Sequence, residues 1–164
     1  MSVVFSSLAG YFLAAEKISF GSILLLFFGG YFMVGASNTF NQLIEREKDG
    51  IMERTLNRPL PKNRINTSQA LSIGILLSIL GVIFLYFLNI KTALFGAISI
   101  LLYVVIYTPL KRITPLSVFV GAIPGAIPYM LGWVAYTGSF GIEPGVLFLL
   151  QFFWQFPHFW ALAW

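Results

Sequence analysis

The chain has 164 residues, 58% hydrophobic and only 10% charged, with a net charge of +4 and no cysteine. Soluble globular chains carry roughly a quarter charged residues, so a water-soluble fold is excluded, as is any disulfide, thiolate or Cys-metal chemistry. The basic residues fall mostly in two loops between apolar runs, which loop orientation explains, so nucleic acid is not an expected partner.

Apolar runs near the roughly 20 residues that cross a bilayer occupy 2–15, 20–40, 69–88, 92–109, 116–136 and 144–164. They predict an all-α, polytopic transmembrane bundle of about six helices in one domain. The first run is only about 21 Å long at 1.5 Å per residue, and the last reaches Trp164 without a flanking charge. Both features predict that residues 1–164 are part of a longer transmembrane domain. The loop after the second run carries Arg46, Lys48, Arg54, Arg58, Lys62 and Arg64, and the loop after the fourth carries Lys111 and Arg112. The opposite loops hold Lys17, Lys91, Glu16 and Glu143, so the two basic loops are expected on the cytoplasmic or matrix-type side.

The second run leads into Asn41-Gln-Leu-Ile-Glu45-Arg-Glu-Lys-Asp49. On a helix, Asn41, Glu45 and Asp49 at i, i+4 and i+8 share one face, drifting about 40° and rising about 6 Å per step. That strip of hard oxygens suits Mg²⁺, which takes one or two carboxylates and completes its shell with water and phosphate. Arg54 and Arg58 follow in Met52-Glu-Arg-Thr-Leu-Asn-Arg-Pro-Leu-Pro61, and Arg favours phosphate oxygens. Acid, metal and arginine together describe a diphosphate site; the alternative is a solvated helix end whose charges pair locally. Asn38, Asn41 and Gln42 at the end of an apolar run favour the first, since intramembrane polar groups usually face a cavity or a partner.

Further along, Lys111 and Arg112 either reach a diphosphate or simply orient their loop. Thr108-Pro109 and Thr114-Pro115 are expected to hold that loop in a fixed bend. Gly121 and Gly125, at small-xxx-small spacing, predict close helix packing, and Pro124 and Pro128 a kink. His158 is the single histidine and either contacts a cofactor-like ligand or bonds between helices. Trp154, Trp160 and nearby phenylalanines line a pocket or form an interfacial belt, the belt being expected for Trp164.

Several strings are similar to the UbiA-type intramembrane prenyltransferases, in particular their haem-farnesylating branch: the Asn41 to Asp49 segment with Met52 to Pro61, Tyr107-Thr-Pro-Leu-Lys-Arg-Ile-Thr-Pro115, Gly121 to Pro128, and Trp154-Gln-Phe-Pro-His-Phe-Trp-Ala-Leu-Ala. The resemblance covers essentially the whole chain. It implies transfer of a farnesyl group from farnesyl diphosphate to a vinyl group of haem B, with Mg²⁺ assisting departure of diphosphate, at the cytoplasmic face of the inner (plasma) membrane or in the mitochondrial inner membrane of a eukaryote. It implies that Asn41, Glu45 and Asp49 hold the metal, that Arg54, Arg58, Lys111 and Arg112 bind substrate, and that His158 contacts haem. Glu45 stands where the general pattern has Asp, keeping both charge and oxygen ligand. The family has about nine transmembrane helices and a second acidic motif after the Pro-His-Phe-Trp region, so residues 1–164 alone are expected to be inactive. Other readings are a different prenyl acceptor, such as an aromatic quinone precursor, and a transporter, which would place charges near the bilayer centre instead of at the span ends.

Overall fold

The computed structural model describes residues 2–163, and of residues 160, 162 and 163 the backbone only. The readings of Trp164 and of the Trp160 ring lie outside the described residues. Six helices follow the six apolar runs: α1 (Ser2–Ala14), α2 (Phe20–Asp49), α3 (Thr67–Tyr86), α4 (Ile90–Leu110), α5 (Ser117–Thr137) and α6 (Ile142–Ala163). Among the described residues, α2, α3, α4 and α5 are long and apolar enough to cross a membrane, while α1 is a shorter apolar helix. The protein is therefore a multi-pass membrane protein.

The helix starts are written locally. Ser19 accepts from the Ser22 N–H at the head of α2. Asn66 and Gln69 form a reciprocal capping box on α3, and Asn89 caps α4 through the Thr92 N–H. Each satisfies a donor that the first helical turn leaves without a partner. Asn89 also donates to the carbonyls of Val134 and Ala135 at 3.0 and 3.3 Å, which ties the start of α4 to the end of α5.

α2 has 30 residues, about 45 Å at 1.5 Å per residue, against a hydrocarbon core of about 30 Å. Its last turns therefore emerge from the apolar layer as unbroken helix, and they carry Asn41, Glu45 and Asp49. α2 lies along α3, and α5 packs on α1, α4 and α6. Tyr11, Leu26, Met33, Leu85, Ile127, Met130 and Val134 form the buried core between them. The tightest crossing joins α1 to α5. A Cβ on Gly132 would overlap the Ser7 carbonyl, and one on Gly10 the Tyr129 carbonyl, so small residues let two backbones touch.

α4 does not stop at its proline. Residues Leu102–Tyr107 form a π-helical stretch in which the Thr108 N–H reaches back to the Tyr103 carbonyl, and the helix then runs through Pro109 to Leu110. Proline has no N–H and its ring crowds the preceding turn; one wide turn takes up that misfit. The bend expected at Thr108-Pro109 is thus moved up into the helix. α5 likewise runs unbroken through Pro124 and Pro128. Pro128 cannot serve the Pro124 carbonyl, and the Ser99 hydroxyl donates to it instead, at 3.3 Å, as polar side chains do for broken helical bonds in a membrane.

Candidate active site

The last two turns of α2, the loop that follows and the end of α4 enclose a polar cavity of about 440 Å³, lined by Asn41, Glu45, Lys48, Asp49, Met52, Arg54, Thr55, Arg58, Lys111 and Arg112. All three members of the strip read from the sequence are there, with four of the cations. The loop is folded back by its own backbone bonds, such as Thr55 N–H to the Met52 carbonyl and Arg64 N–H to the Pro59 carbonyl, both 2.9 Å. Buried Thr55 fastens the loop to the helix end by donating to the Asp49 carbonyl at 3.0 Å. This brings Arg58 over Asp49: its Nη1 donates to Asp49 Oδ2 at 2.7 Å.

Lys111 crosses from the end of α4. Its Nζ donates to Glu45 Oε2 at 2.7 Å and to Asn41 Oδ1 at 3.2 Å. The Thr108 hydroxyl adds a long bond to the same Asn41 oxygen, 3.4 Å, beside a shorter one of 2.8 Å to the Tyr103 carbonyl. Arg112 lines the cavity too, and its Nη2 donates to the Ile44 carbonyl at 2.7 Å, pinning the loop between α4 and α5 to α2. Lys48 and Arg54 line the cavity with no side-chain partner among the described residues.

The carboxylates are sheltered and the cations less so. Side-chain exposure is 14% for Glu45 and 5% for Asp49, against 26% for Lys111 and 35% for Arg58. No buried side-chain oxygen among the described residues lacks a partner, and one oxygen each of Glu45 and Asp49 is taken up by Lys111 and Arg58. Among the described residues no three acids or histidines converge on one point. Two carboxylates and the amide oxygen of Asn41 nonetheless suit a hard cation that shares its shell with phosphate and water. The donor chemistry fits Mg²⁺ bound together with a phosphate group.

Beneath the polar cavity lies a second, largely apolar one of about 330 Å³, whose walls include Met33, Asn38, Ile100, Tyr103, Tyr107, Leu131 and Gln155. Its floor is opened by glycine. A side chain at Gly121 would meet the Tyr107 ring, and one at Gly125 the Gln155 amide. The close packing expected of these two glycines is therefore packing against side chains. Gln155 is 6% exposed and donates to the carbonyls of Ala122 and Gln151 at 3.1 and 3.2 Å, which satisfies its amide nitrogen inside the bundle. The Tyr103 and Tyr107 rings lie 5.2 Å apart, and Lys111 Nζ sits 5.6 Å from the centre of the Tyr107 ring, in cation–π range. Tyr107 thus lines the apolar cavity, and Lys111 of the polar one approaches its ring.

Matching the UbiA prenyltransferase family, the sequence aligns over residues 3–164. The chain belongs to the UbiA prenyltransferase family. It is 65% identical over its whole length to the protoheme IX farnesyltransferase of Christiangramia forsetii and 60% identical to that of Flavobacterium psychrophilum, covering 55% and 56% of those proteins. The chain thus spans about half the length of the curated relatives it matches. Two solved structures share its fold. One comes from work on digeranylgeranylglyceryl phosphate synthase in membranes (TM-score 0.81, 24% identity, 92% of this chain and 53% of that one). The other is the apo structure of a UbiA homolog from Aeropyrum pernix K1 (TM-score 0.77, 18% identity, 94% and 60%).

His158 stands apart from the other residues singled out in the sequence. It is exposed, its ring stacks on Trp154 with centroids 5.2 Å apart, and it lines neither cavity. Conversely, sequence reasoning passed over Lys48, Thr55, Tyr103 and Gln155, and read Tyr107 only as part of a string. Tyr107 had a usable signal, since it precedes Lys111 by four residues and so shares its helix face. Lys48 had none, being one basic residue among several in an orienting loop.

Proposed function

We propose that this protein belongs to the machinery that transfers a farnesyl group from farnesyl diphosphate to a vinyl group of haem B, giving haem O. The reaction is Mg²⁺-dependent and runs at the cytoplasmic face of the inner (plasma) membrane, or in the mitochondrial inner membrane in a eukaryote. The observation that carries this reading is the 5.6 Å approach of Lys111 Nζ, in the cationic, carboxylate-bearing cavity, to the ring of Tyr107, which lines the apolar cavity. A prenyl diphosphate has the same two halves joined at one carbon. The names of the relatives point to haem as acceptor.

In this reading the C1–O bond of the prenyl diphosphate breaks, its electron pair leaves with diphosphate, and C1 bonds to the terminal vinyl carbon through the vinyl π pair. Water then adds to the cation left on the inner vinyl carbon and loses a proton, giving the hydroxyl of haem O. Lys48, Arg54, Arg58 and Lys111 surround the leaving group, where fixed charges in a water-poor site lower the barrier most. Arg112, committed to the Ile44 carbonyl, positions the loop. Glu45, Asp49 and Asn41 would hold Mg²⁺, which would supply Lewis-acid stabilisation of the leaving group. The apolar cavity around Tyr103 and Met33 takes the isoprenoid tail and keeps water from the allylic cation. His158, exposed and stacked on Trp154, is assigned to the haem side of the reaction.

The test is product analysis with the full-length protein, farnesyl diphosphate and Mg²⁺, offering haem B or 4-hydroxybenzoate as acceptor. Farnesylated haem is expected. Prenylated 4-hydroxybenzoate with untouched haem would move the protein to quinone-type chemistry on the same diphosphate site.

A further inference from the structure

The polar cavity is lined by five cationic and two anionic side chains, a net charge of +3. Both anions are already engaged, Glu45 by Lys111 and Asp49 by Arg58, each at 2.7 Å. A divalent cation arriving alone meets a repulsive field and finds its ligands held by ion pairs, which are costly to separate where water is scarce. A diphosphate arriving alone meets neither obstacle. It carries about three negative charges near neutral pH, its terminal phosphoryl losing a second proton near pH 6, and Lys48 and Arg54 line the cavity with no side-chain partner among the described residues.

We propose that Lys111 and Arg58 are exchangeable partners that keep Glu45 and Asp49 closed to a divalent cation until a diphosphate binds, so that the anion enters first and the metal second. The exposures fit the division of roles. The two carboxylates, sheltered at 14% and 5%, are the fixed elements, and the cations, at 26% and 35%, have room to turn. Once the diphosphate is seated, Lys111 and Arg58 exchange a carboxylate oxygen for a phosphate oxygen, and the released carboxylates face the metal. Coupling of this kind is reciprocal, so metal tightens diphosphate by the factor that diphosphate tightens metal. What the latch decides is which of the two binds alone.

This inference rests on the diphosphate reading of the site, and binding measured without turnover tests it on the full-length protein in lipid nanodiscs. Calorimetry with inorganic diphosphate in EDTA should show binding to the native protein. Electron paramagnetic resonance with Mn²⁺ alone should show metal binding at least about tenfold tighter in Lys111→Met and in Arg58→Met than in the native protein, while each variant loses about tenfold in metal-free diphosphate affinity. The comparison within the native protein needs no variant to fold. Mn²⁺ alone binding the native protein at least as tightly as diphosphate binds it in EDTA overturns the latch and leaves the diphosphate site standing. If inorganic diphosphate and Mn²⁺ both fail to bind the native protein, the latch and the proposed site fall together.

Discussion

The polar cavity and the α1–α5 crossing are built on opposite principles. At the crossing, Gly10 and Gly132 bring backbone against backbone, leaving no free volume and no charge. At the cavity, side chains from the end of α2, its following loop and α4 meet across open space through ion pairs and polar hydrogen bonds. Lipid gives helices no hydrophobic reason to associate, so close contact between small residues supplies much of the packing. The charged end is then free to be arranged for a ligand. Changes at the crossing should remove the fold, and changes at the cavity should remove the chemistry while the fold survives.

The largest effect is expected from Gly132→Val. Its branched side chain has no room against Ser7, and the protein should fail to elute as a monodisperse species in size-exclusion chromatography; a well-folded variant would break the contrast at once. Next comes Glu45→Gln, which keeps an oxygen acceptor for Lys111 but removes the charge. Farnesyl transfer by the full-length enzyme should fall by about 10²-fold or more, with the melting temperature nearly unchanged. A matching loss of stability would mean that the pair with Lys111 holds the bundle together. Gln155→Leu sharpens the boundary between the two regions, because Gln155 stitches α6 to the Ala122 carbonyl of α5 beside the apolar cavity. Denaturation should report a loss of about 1 kcal/mol, the net worth of an ordinary hydrogen bond, with diphosphate affinity retained. The smallest effect is reserved for His158→Ala. Its ring lies outside both cavities, so affinity for inorganic diphosphate should stay within about twofold.

Much of this molecule is legible before any coordinates. The six apolar runs become six helices, and the largest revision is local, a π-helical stretch before Pro109. Proline's missing N–H makes some irregularity certain, whereas where it is absorbed depends on what packs nearby, here Tyr107 against Gly121. The strip of Asn41, Glu45 and Asp49 was readable because helix geometry alone places those residues on one face. Arg112 shows the opposite case. Next to Lys111 in sequence, it was read as a substrate cation or a loop-orienting charge; it lines the cavity and also donates to a backbone carbonyl on α2, a bond that helix spacing does not foretell.

What the sequence by itself determined was therefore periodic or compositional: membrane class, helix count, the acidic strip, the cation-rich end and, through its motifs, the family. Only the tertiary structure decided who holds whom. Lys111 meets Glu45 across 66 positions of sequence, and Arg58 reaches Asp49 because buried Thr55 folds the loop back. Tyr107 lines the apolar cavity against Gly121 only because α4 and α5 pack where they do. Pairings between distant residues depend on how helices cross, and helix crossing is set by small residues such as Gly10 and Gly132, whose spacing along the chain carries no record of their partners.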